Sequence, residues 1–325
     1  MNNEPLVSII IVNYNGKSHL EECLKSLIKI DYNNFEIILV DNNSTDGSRE
    51  FINKFYTSVK LIMLDSNQGF AEPNNIGAKN AKGEFLLFLN NDTVVTPNFI
   101  SELIKVINQN PKNVICQSLL LKPNGEVDSS GDFVDTWGRA YSSTNKTKVV
   151  KEILSARGAS MMTRKDSFFE LGGFDKNFFA TFEDVDLGWR AWIWGYRVVI
   201  APNSIVYHLG GQTVKNLSSE VKFHGVKNVI ILSLVNFETS LAINNIIKHF
   251  FAILVKKSLR ISIVPVPEQS SSVPSGKIIL KGIFWVLQNL KYVLAKRRKV
   301  NSRRVMSTKD LLKKGLITSN YPQNV

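Results

Sequence analysis

Long uninterrupted apolar runs are missing from this chain of 325 residues. A transmembrane helix needs about 20 apolar residues in succession, and the nearest approach, Leu241 to Val255, is broken by Asn244, Asn245, Lys248 and His249. No secretory signal is read either, because Met1 to Pro5 is polar and the apolar run that follows has the length of a strand. The chain is therefore expected to stay on the cytoplasmic side. Cysteine is scarce: Cys23 and Cys116 are too few for a disulfide framework and read as small buried hydrophobes in a reducing compartment. Neither a G-x-x-x-x-G-K-[ST] loop nor a G-x-G-x-x-G after a strand occurs, so the usual glycine cradles for phosphate are missing. If a nucleotide diphosphate binds, another group must offset its charge.

Acidic residues are scarce at one end only. Residues 245–325 carry 16 Lys and Arg against 2 Asp and Glu, whereas residues 1–244 carry 24 against 26. The net charge of +12 thus belongs to the tail. Such asymmetry points to a charged partner for that end, a membrane surface or nucleic acid. The rest is ordinary for a globular protein, with 44% hydrophobic and 21% charged residues and enough length for one large domain or two smaller ones.

What is present is a rhythm of strands and helices. Leu6 to Val12, Phe35 to Val40, Val59 to Leu64 and Phe85 to Leu89 are runs of strand length, and continuous apolar runs suit strands covered on both faces. Helices are predicted between them over Ser18 to Ile28 (with Ser18 as cap), Ser48 to Tyr56 and Asn74 to Ala81. This is the βαβ pattern of a parallel α/β sheet, whose right-handed crossovers bring all four strand ends to one rim. Ligands of open sheets bind beyond that rim. Further on, the sequence predicts a helix from Pro97 to about Asn110 and strands at Val114 to Leu121, Ala159 to Thr163, Arg197 to Ile200 and Ile205 to Tyr207. Residues 122–155 are left unassigned. From Lys222 helices with basic flanks take over, with a Pro/Ser-rich linker at 265–276. A helix over Ile278 to Leu294 projects Ile283, Val286, Leu287, Leu290, Val293 and Leu294 to one side. Two domains are expected, a sheet domain over 1–220 and an amphipathic, basic, helical tail over 221–325.

Polar residues collect at the strand ends. Asp41, with Asn42 and Asn43, could contact a nucleotide or could simply serve turn and capping chemistry. Asp92 ends the polar turn after Phe85 to Leu89 and is a hard oxygen ligand suited to a divalent metal. His208 follows an apolar strand and is either a second ligand or a structural histidine. Glu183, Asp184 and Asp186 crowd one helical turn. Thr181 and Asp184 have capping-box spacing, and Asp186 and Arg190 an i, i+4 spacing, which is a purely structural reading. The functional reading is that like charges raise a carboxylate's pKa and make it a better base.

Together these stretches resemble glycosyltransferase family 2. The matching segments are VSIIIVNYNG (7–16), ILVDNNSTDGS (38–48), NQGFAEPNNIG (67–77), EFLLFLNNDT (84–93), GASMMTRKDSFFELGGFD (158–175), FEDVDLGWRAWIWGYRVV (182–199) and YHLGGQT (207–213). The stretch KGIFWVLQNLKYVLAKRRKV (281–300) is similar to the ends of rhamnosyltransferase-like members. The resemblance implies the GT-A nucleotide-diphospho-sugar transferase fold, a mainly parallel sheet flanked by helices, with a C-terminal helical, membrane-interfacial extension. It implies inverting transfer from a nucleoside-diphosphate sugar to a hydroxyl of a lipid-linked glycan acceptor in cell-surface polysaccharide synthesis, including rhamnosyl transfer. Asn13, Asp41, Asn67, Asn75 and Asn91 would then bind the nucleotide sugar. Asp92 and His208 would hold Mg²⁺ or Mn²⁺, and Asp184 would be the base. Glu183, Trp189 and Arg190 would lie near acceptor and diphosphate.

Two departures stand out: Asn90 occupies the first position of the family's D-x-D motif, and Glu72-Pro73 replaces small residues. Asn90 also motivates a competing expectation, a non-catalytic nucleotide-sugar-binding scaffold at the membrane. The tail, with Lys296-Arg297-Arg298-Lys299 and Arg303-Arg304, is expected to lie on the inner face of the cell membrane as a peripheral contact and to bind no nucleic acid.

Overall fold

A computed structural model describes residues 4–210, 219–245 and 275–320. The linker expected at 265–276 and the apolar stretch up to Val255 fall largely outside them, as do Gly211, Gln212 and Thr213.

The first half folds as its apolar runs dictate. Strands β1 (Val7–Asn13), β2 (Phe35–Asp41), β3 (Lys60–Met63) and β4 (Phe85–Asn90) lie parallel in the order β4-β1-β2-β3. Helices α1 (Lys17–Leu27), α2 (Ser48–Phe55) and α3 (Ala71–Asn80) connect them. Phe85 to Leu89 are buried on both faces of the sheet, as five apolar residues in a row require. Two helix starts differ from expectation. Gly16, not Ser18, is the N-cap of α1, and no side-chain cap bond forms there. Helix α3 begins at Ala71, because Pro73 is tolerated in a first turn and the Phe179 carbonyl accepts the N–H groups of Phe70 and Ala71.

The second half makes the sheet mixed. After β5 (Thr93–Val95) and α4 (Phe99–Ile107) comes β6 (Asn113–Leu121), buried along its whole length. The unassigned stretch supplies β7 (Val127–Ser129), β8 (Asp132–Asp135), β9 (Ala140–Ser142) and β10 (Lys151–Glu152). Strand β11 (Ser160–Arg164) is inserted antiparallel between β4 and β6. Helices α5 (Lys165–Leu171) and α6 (Glu183–Ile193) lead to β12 (Arg197–His208). Expected as two strands, β12 is a single one that pairs parallel to β6 and absorbs a register shift between Ala201 and Ile205. Since β11 reverses direction on both sides, β6 and β12 run the same way as β1 to β4. The carboxyl ends of β1, β2, β4 and β12 and the amino end of β11 therefore share one rim.

Beyond residue 219 come α7 (Ser219–Asn236), α8 (Gly276–Gln288), α9 (Leu290–Ser302) and α10 (Thr308–Lys313), and β13 (Ile317–Thr318) joins β8 and β9 in a small second sheet. The helix expected over Ile278 to Leu294 is broken at Asn289 and bends by 71°. There the Asn289 amide donates to the Trp285 carbonyl and ends the turn. The single apolar face is split: Val286 and Val293 are buried, while Leu287 is 61% exposed.

Most of the basic cluster also points inward. Lys296 bonds Asp175 at 2.5 Å and Asp186 at 3.0 Å. Arg297 donates to the carbonyls of Leu234 and Phe237, and Arg304 to that of Asn236, so both cap the end of α7. Arg303 pairs with Glu170 at 2.7 Å. Burial pushes the Asp175 carboxyl up, but Lys296 and Tyr292 outweigh it and hold it at about 2. Lys296, Arg297 and Arg304 serve the fold, leaving Arg298, Lys299 and Arg303 exposed. Among the described residues no single helix is long and apolar enough to cross a membrane; α8 and α9 together meet that length and composition only as a bent pair.

Candidate active site

The rim is built from short polar ends of buried strands. On β2, Asp41 is fully buried and accepts from the Ser44 N–H at 2.9 Å and from Arg49 at 2.5 Å. Burial raises its carboxyl, but hydrogen bonds from Ser44, Arg49 and Asn13 outweigh that and hold it below the ordinary range. Asn13, at the end of β1, donates to Asp41 at 3.3 Å and accepts from Asn91 at 2.8 Å. Asn42 donates to Asn67 at 2.8 Å and to the Gly69 carbonyl at 2.7 Å, fixing the turn after β3. Asn67 itself is exposed at the rim. Asn75 is not free to serve a ligand in the same way. Its amide grips the Phe174 backbone from both sides, at 2.8 Å and 3.0 Å, and pins α3 to the Gly172-Gly173 turn.

At the centre, Asp92 and His208 meet. His208 Nε2 lies 3.4 Å from Asp92 Oδ1, and its Nδ1 lies 2.9 Å from Asp128. Burial lowers the imidazole pKa, yet Asp128 and Asp92 push it up to about 9. Asp92 Oδ1 is buried with no hydrogen-bond partner. Such an orphaned carboxylate oxygen beside an imidazole nitrogen fits a hard divalent cation, with Asp128 orienting the imidazole from behind. Among the described residues no three His, Cys, Asp or Glu side chains form a closed cage, so ligand oxygens and water would have to complete the shell. Asn90, in the first D-x-D position, lies 3.5 Å from His208 Nε2.

Arg157 links this centre to the acidic block. It reaches Asp128 and Asp132, each at 3.3 Å. Asp184 accepts from the Gly158 N–H at 3.0 Å and the Val185 N–H at 2.7 Å. Burial pushes the Asp184 carboxyl up to about 6, with Asp132 adding to the rise and the two N–H groups and Arg157 opposing it. Burial, with Asp184 beside it, raises Glu183 further. One chain of contacts therefore runs from Asp41 through Asn13 and Asn91 to the Asp92 turn, then through His208 and Asp128 to Arg157, whose neighbour Gly158 bonds Asp184. Asp128, Asp132 and Arg157 are absent from the sequence reading, which left 122–155 unassigned and began its matched segment at Gly158. The signal available was an arginine directly before that segment.

Three expectations fail here for physical reasons. No capping box forms, because Phe182 is the N-cap of α6 and the Thr181 hydroxyl is buried without a partner. Trp189 is fully buried and packs edge-on against Phe237 at 4.7 Å. Arg190 is buried as well, bonded to Asp186 at 2.8 Å and to the carbonyls of Leu171 and Gly173. The i, i+4 pair with Asp186 that the spacing suggested does form, as a piece of the core. The backbone before Asp184 is strained: Phe179, Thr181 and Phe182 all have φ between 61° and 70°. Each such residue costs about 1–3 kcal/mol, and strain of this kind clusters at functional sites.

Known proteins share this fold. Among solved structures the chain is similar to GalNAc-T7 with UDP, GalNAc and Mn²⁺ (TM-score 0.62, 19% identity, 91% of this chain and 58% of that one). It is also similar to the mannosyltransferase PcManGT of Pyrobaculum calidifontis with GDP-Man and Mn²⁺ (TM-score 0.54, 14% identity, 96% and 89%). The fold is GT-A, its sheet made mixed by β11 and the short edge strands while β1 to β4, β6 and β12 run the same way. Among sequences it is 33% identical over 220 residues to the O-antigen biosynthesis protein RfbC of Myxococcus xanthus, covering 63% of this chain and 17% of that protein. It is 24% identical over 258 residues to an N-acetylglucosaminyl-diphospho-decaprenol L-rhamnosyltransferase of Mycobacterium tuberculosis, covering 70% and 84%. The match spans well under half the length of several of these curated relatives. Residues 8–172, about half of the chain, match Glycosyl transferase family 2, and the chain belongs to that family.

Proposed function

We propose that the chain is an inverting glycosyltransferase moving a sugar from a nucleoside-diphosphate sugar to a hydroxyl of a lipid-linked glycan acceptor in cell-surface polysaccharide synthesis, with rhamnosyl transfer as the leading case. The observation that carries the reading is the pairing, on one rim, of a buried carboxylate poised to take a proton with an orphaned Asp92 oxygen facing His208. Relatives that act in O-antigen synthesis and on a decaprenol-linked sugar support the acceptor class.

Asp41, Asn13, Asn67 and Asn91 bind the nucleotide. Asp184 takes the acceptor's proton as that oxygen attacks the anomeric carbon from the face opposite the diphosphate. Asp92 and His208 would hold Mg²⁺ or Mn²⁺, which would supply positive charge to offset that of the diphosphate. Glu183, nearly buried and pushed towards its neutral form, keeps a second negative charge away from Asp184. Residues 1–220 act as the catalytic domain and 221–325 as the extension.

The test offers UDP-, GDP- and dTDP-linked sugars with Mn²⁺ and a polyprenyl-diphosphate-linked sugar, and reads the product's anomeric configuration by NMR. Inverted product is expected. Retained configuration would contradict the single-displacement step, and binding of a donor with no turnover would favour the scaffold reading.

The extension is placed at the inner face of the membrane, through a stripe that shares only Leu287 with the apolar face expected from the sequence. Leu280, Phe284 and Leu287, each at least 60% exposed, form an i, i+4, i+7 stripe on α8, flanked by exposed Lys277, Lys281 and Lys291. Burying such a side chain contributes about 1.5–3 kcal/mol, roughly tenfold or more in partitioning. Leu280→Glu with Phe284→Glu is expected to abolish co-sedimentation with phosphatidylglycerol vesicles and to leave donor binding intact. Unchanged sedimentation would remove the stripe from the account.

A further inference from the structure

The segment that leads into Asp184 is held mainly from outside itself, and much of the hold comes from the C-terminal extension. Phe179 has φ 61° and ψ −68°, and the Ala180 N–H meets the Phe178 carbonyl at 2.7 Å, a γ-turn of the strained hand. Thr181 and Phe182 follow in the left-handed region, so three of the five non-glycine residues with positive φ in the described structure lie within four positions. Gly69, itself at φ 80°, lies against this turn so closely that a Cβ there would sit 2.3 Å from the Phe179 carbonyl oxygen.

Asn228 of α7 is fully buried, and its amide nitrogen lies 2.9 Å from the Phe178 carbonyl, 3.1 Å from that of Ala180 and 2.8 Å from that of Thr181. An amide NH₂ has two hydrogens, so these three acceptors share them. The other end of the same side chain, Oδ1, is buried with no partner. An asparagine buried at that cost acts here through its donors. The preceding residue, Lys227, donates to the Asn177 carbonyl and lies over the Trp285 ring of α8 at 4.6 Å. Two consecutive residues of α7 thus bind four carbonyls of residues 177–181. Phe70 and Ala71 of the α3 start bind the Phe179 carbonyl from the other side.

We propose that Asn228 is a positioning residue for the transfer step: it holds residues 178–182 in their left-handed path and so fixes where the Asp184 carboxylate stands on the rim. The proposal rests on the assignment of Asp184 as the base. If the segment relaxes to ordinary φ values, Phe182, the N-cap of α6, rotates, and Asp184 two residues later leaves the Gly158 N–H that it bonds at 3.0 Å. The extension thereby belongs to the catalytic architecture, and its helix α8 touches the same lysine that grips the segment.

The test uses the full chain with Mn²⁺, the UDP-, GDP- and dTDP-linked sugars and the polyprenyl-diphosphate-linked acceptor, reading acceptor-dependent nucleoside-diphosphate release against pH, with amide exchange followed by mass spectrometry. Asn228→Asp removes the donors at constant volume, and Asn228→Ser is the milder variant should the first not fold. Both are expected to lower kcat by about 10–100-fold, the scale of a misplacement of about 1 Å, with donor KM changed by less than about twofold. The acid limb of the pH profile moves, and faster exchange is confined to residues 178–186. In an Asp184→Asn background, Asn228→Ser should cost nothing further. Wild-type kcat in a folded Asn228 variant, exchange raised throughout the protein, or an undiminished loss in the Asp184→Asn background would each overturn the proposal. Wild-type release by Asp184→Asn alone would instead overturn the base assignment on which it rests.

Discussion

Asp184→Asn is expected to bind donor within about twofold of wild type and to lose about 10²–10⁴-fold in transfer, the range that general base catalysis contributes. The substitution keeps the shape of the side chain, and its one amide oxygen still accepts from either the Gly158 or the Val185 N–H, while the proton acceptor is gone. It also removes a charge that burial and Asp132 already disfavour, which offsets the N–H bond that the amide cannot accept, so the variant should still fold. The pH profile follows with a definite sign. A base works only when deprotonated, so with Asp184 raised to about 6, activity should be full well above that value and fall as pH drops through it. An ordinary aspartate would keep working to about pH 4. An acid limb at the ordinary position, or transfer surviving in Asp184→Asn, would assign the proton to another group.

The second large effect concerns the centre of the rim. Asp92→Ala is expected to lower turnover by about 10²-fold or more at fixed Mn²⁺ and to weaken binding of the nucleoside diphosphate, because the fold supplies few other carboxylates there. Asp128→Asn should cost about 10–100-fold, the usual toll for removing the group behind a ligating imidazole. That loss should recover in part as Mn²⁺ is raised, since the ligands themselves remain. The contrast between the variants is informative. If Asp92 served only to pair with a protonated His208 across their 3.4 Å gap, Asp92→Ala would lower stability with no dependence on metal. Equal turnover with and without Mn²⁺ in the native chain would leave the Asp92 oxygen without the role given to it here.

Much of this was legible where a residue's environment is set by its near neighbours. Phe85 to Leu89 announced a buried strand, and parallel neighbours with short crossovers carried Asn13, Asp41 and Asp92 to one edge. What stayed hidden depends on partners far away in the chain. Strand β11 inserts antiparallel between β4 and β6 because of pairing partners, and nothing in its own five residues states that direction. Arg190 has the spacing of a surface bridge to Asp186, but the Leu171 and Gly173 carbonyls that bury it come from another element. The basic run Lys296-Arg297-Arg298-Lys299 reads as a lipid-facing patch until Asp175 and the open carbonyls at the end of α7 are seen to need its first two members. Local composition reports that charge is present; which way it points is decided by groups a hundred or so residues away. Asp128 and Asp132 were missed for the same reason, since only the fold brings that turn-rich stretch beside His208 and Arg157.

The most direct measurement is native mass spectrometry of the full chain with UDP, GDP and dTDP, with and without Mn²⁺, on the native protein, Asp92→Ala and Asp184→Asn. One nucleoside diphosphate should bind with Mn²⁺ to the native chain and to Asp184→Asn, and its binding should fall sharply in Asp92→Ala. Binding that ignores both Mn²⁺ and Asp92, or that vanishes with Asp184, would contradict a rim in which the strand-end residues hold the donor and the acidic turn awaits the acceptor.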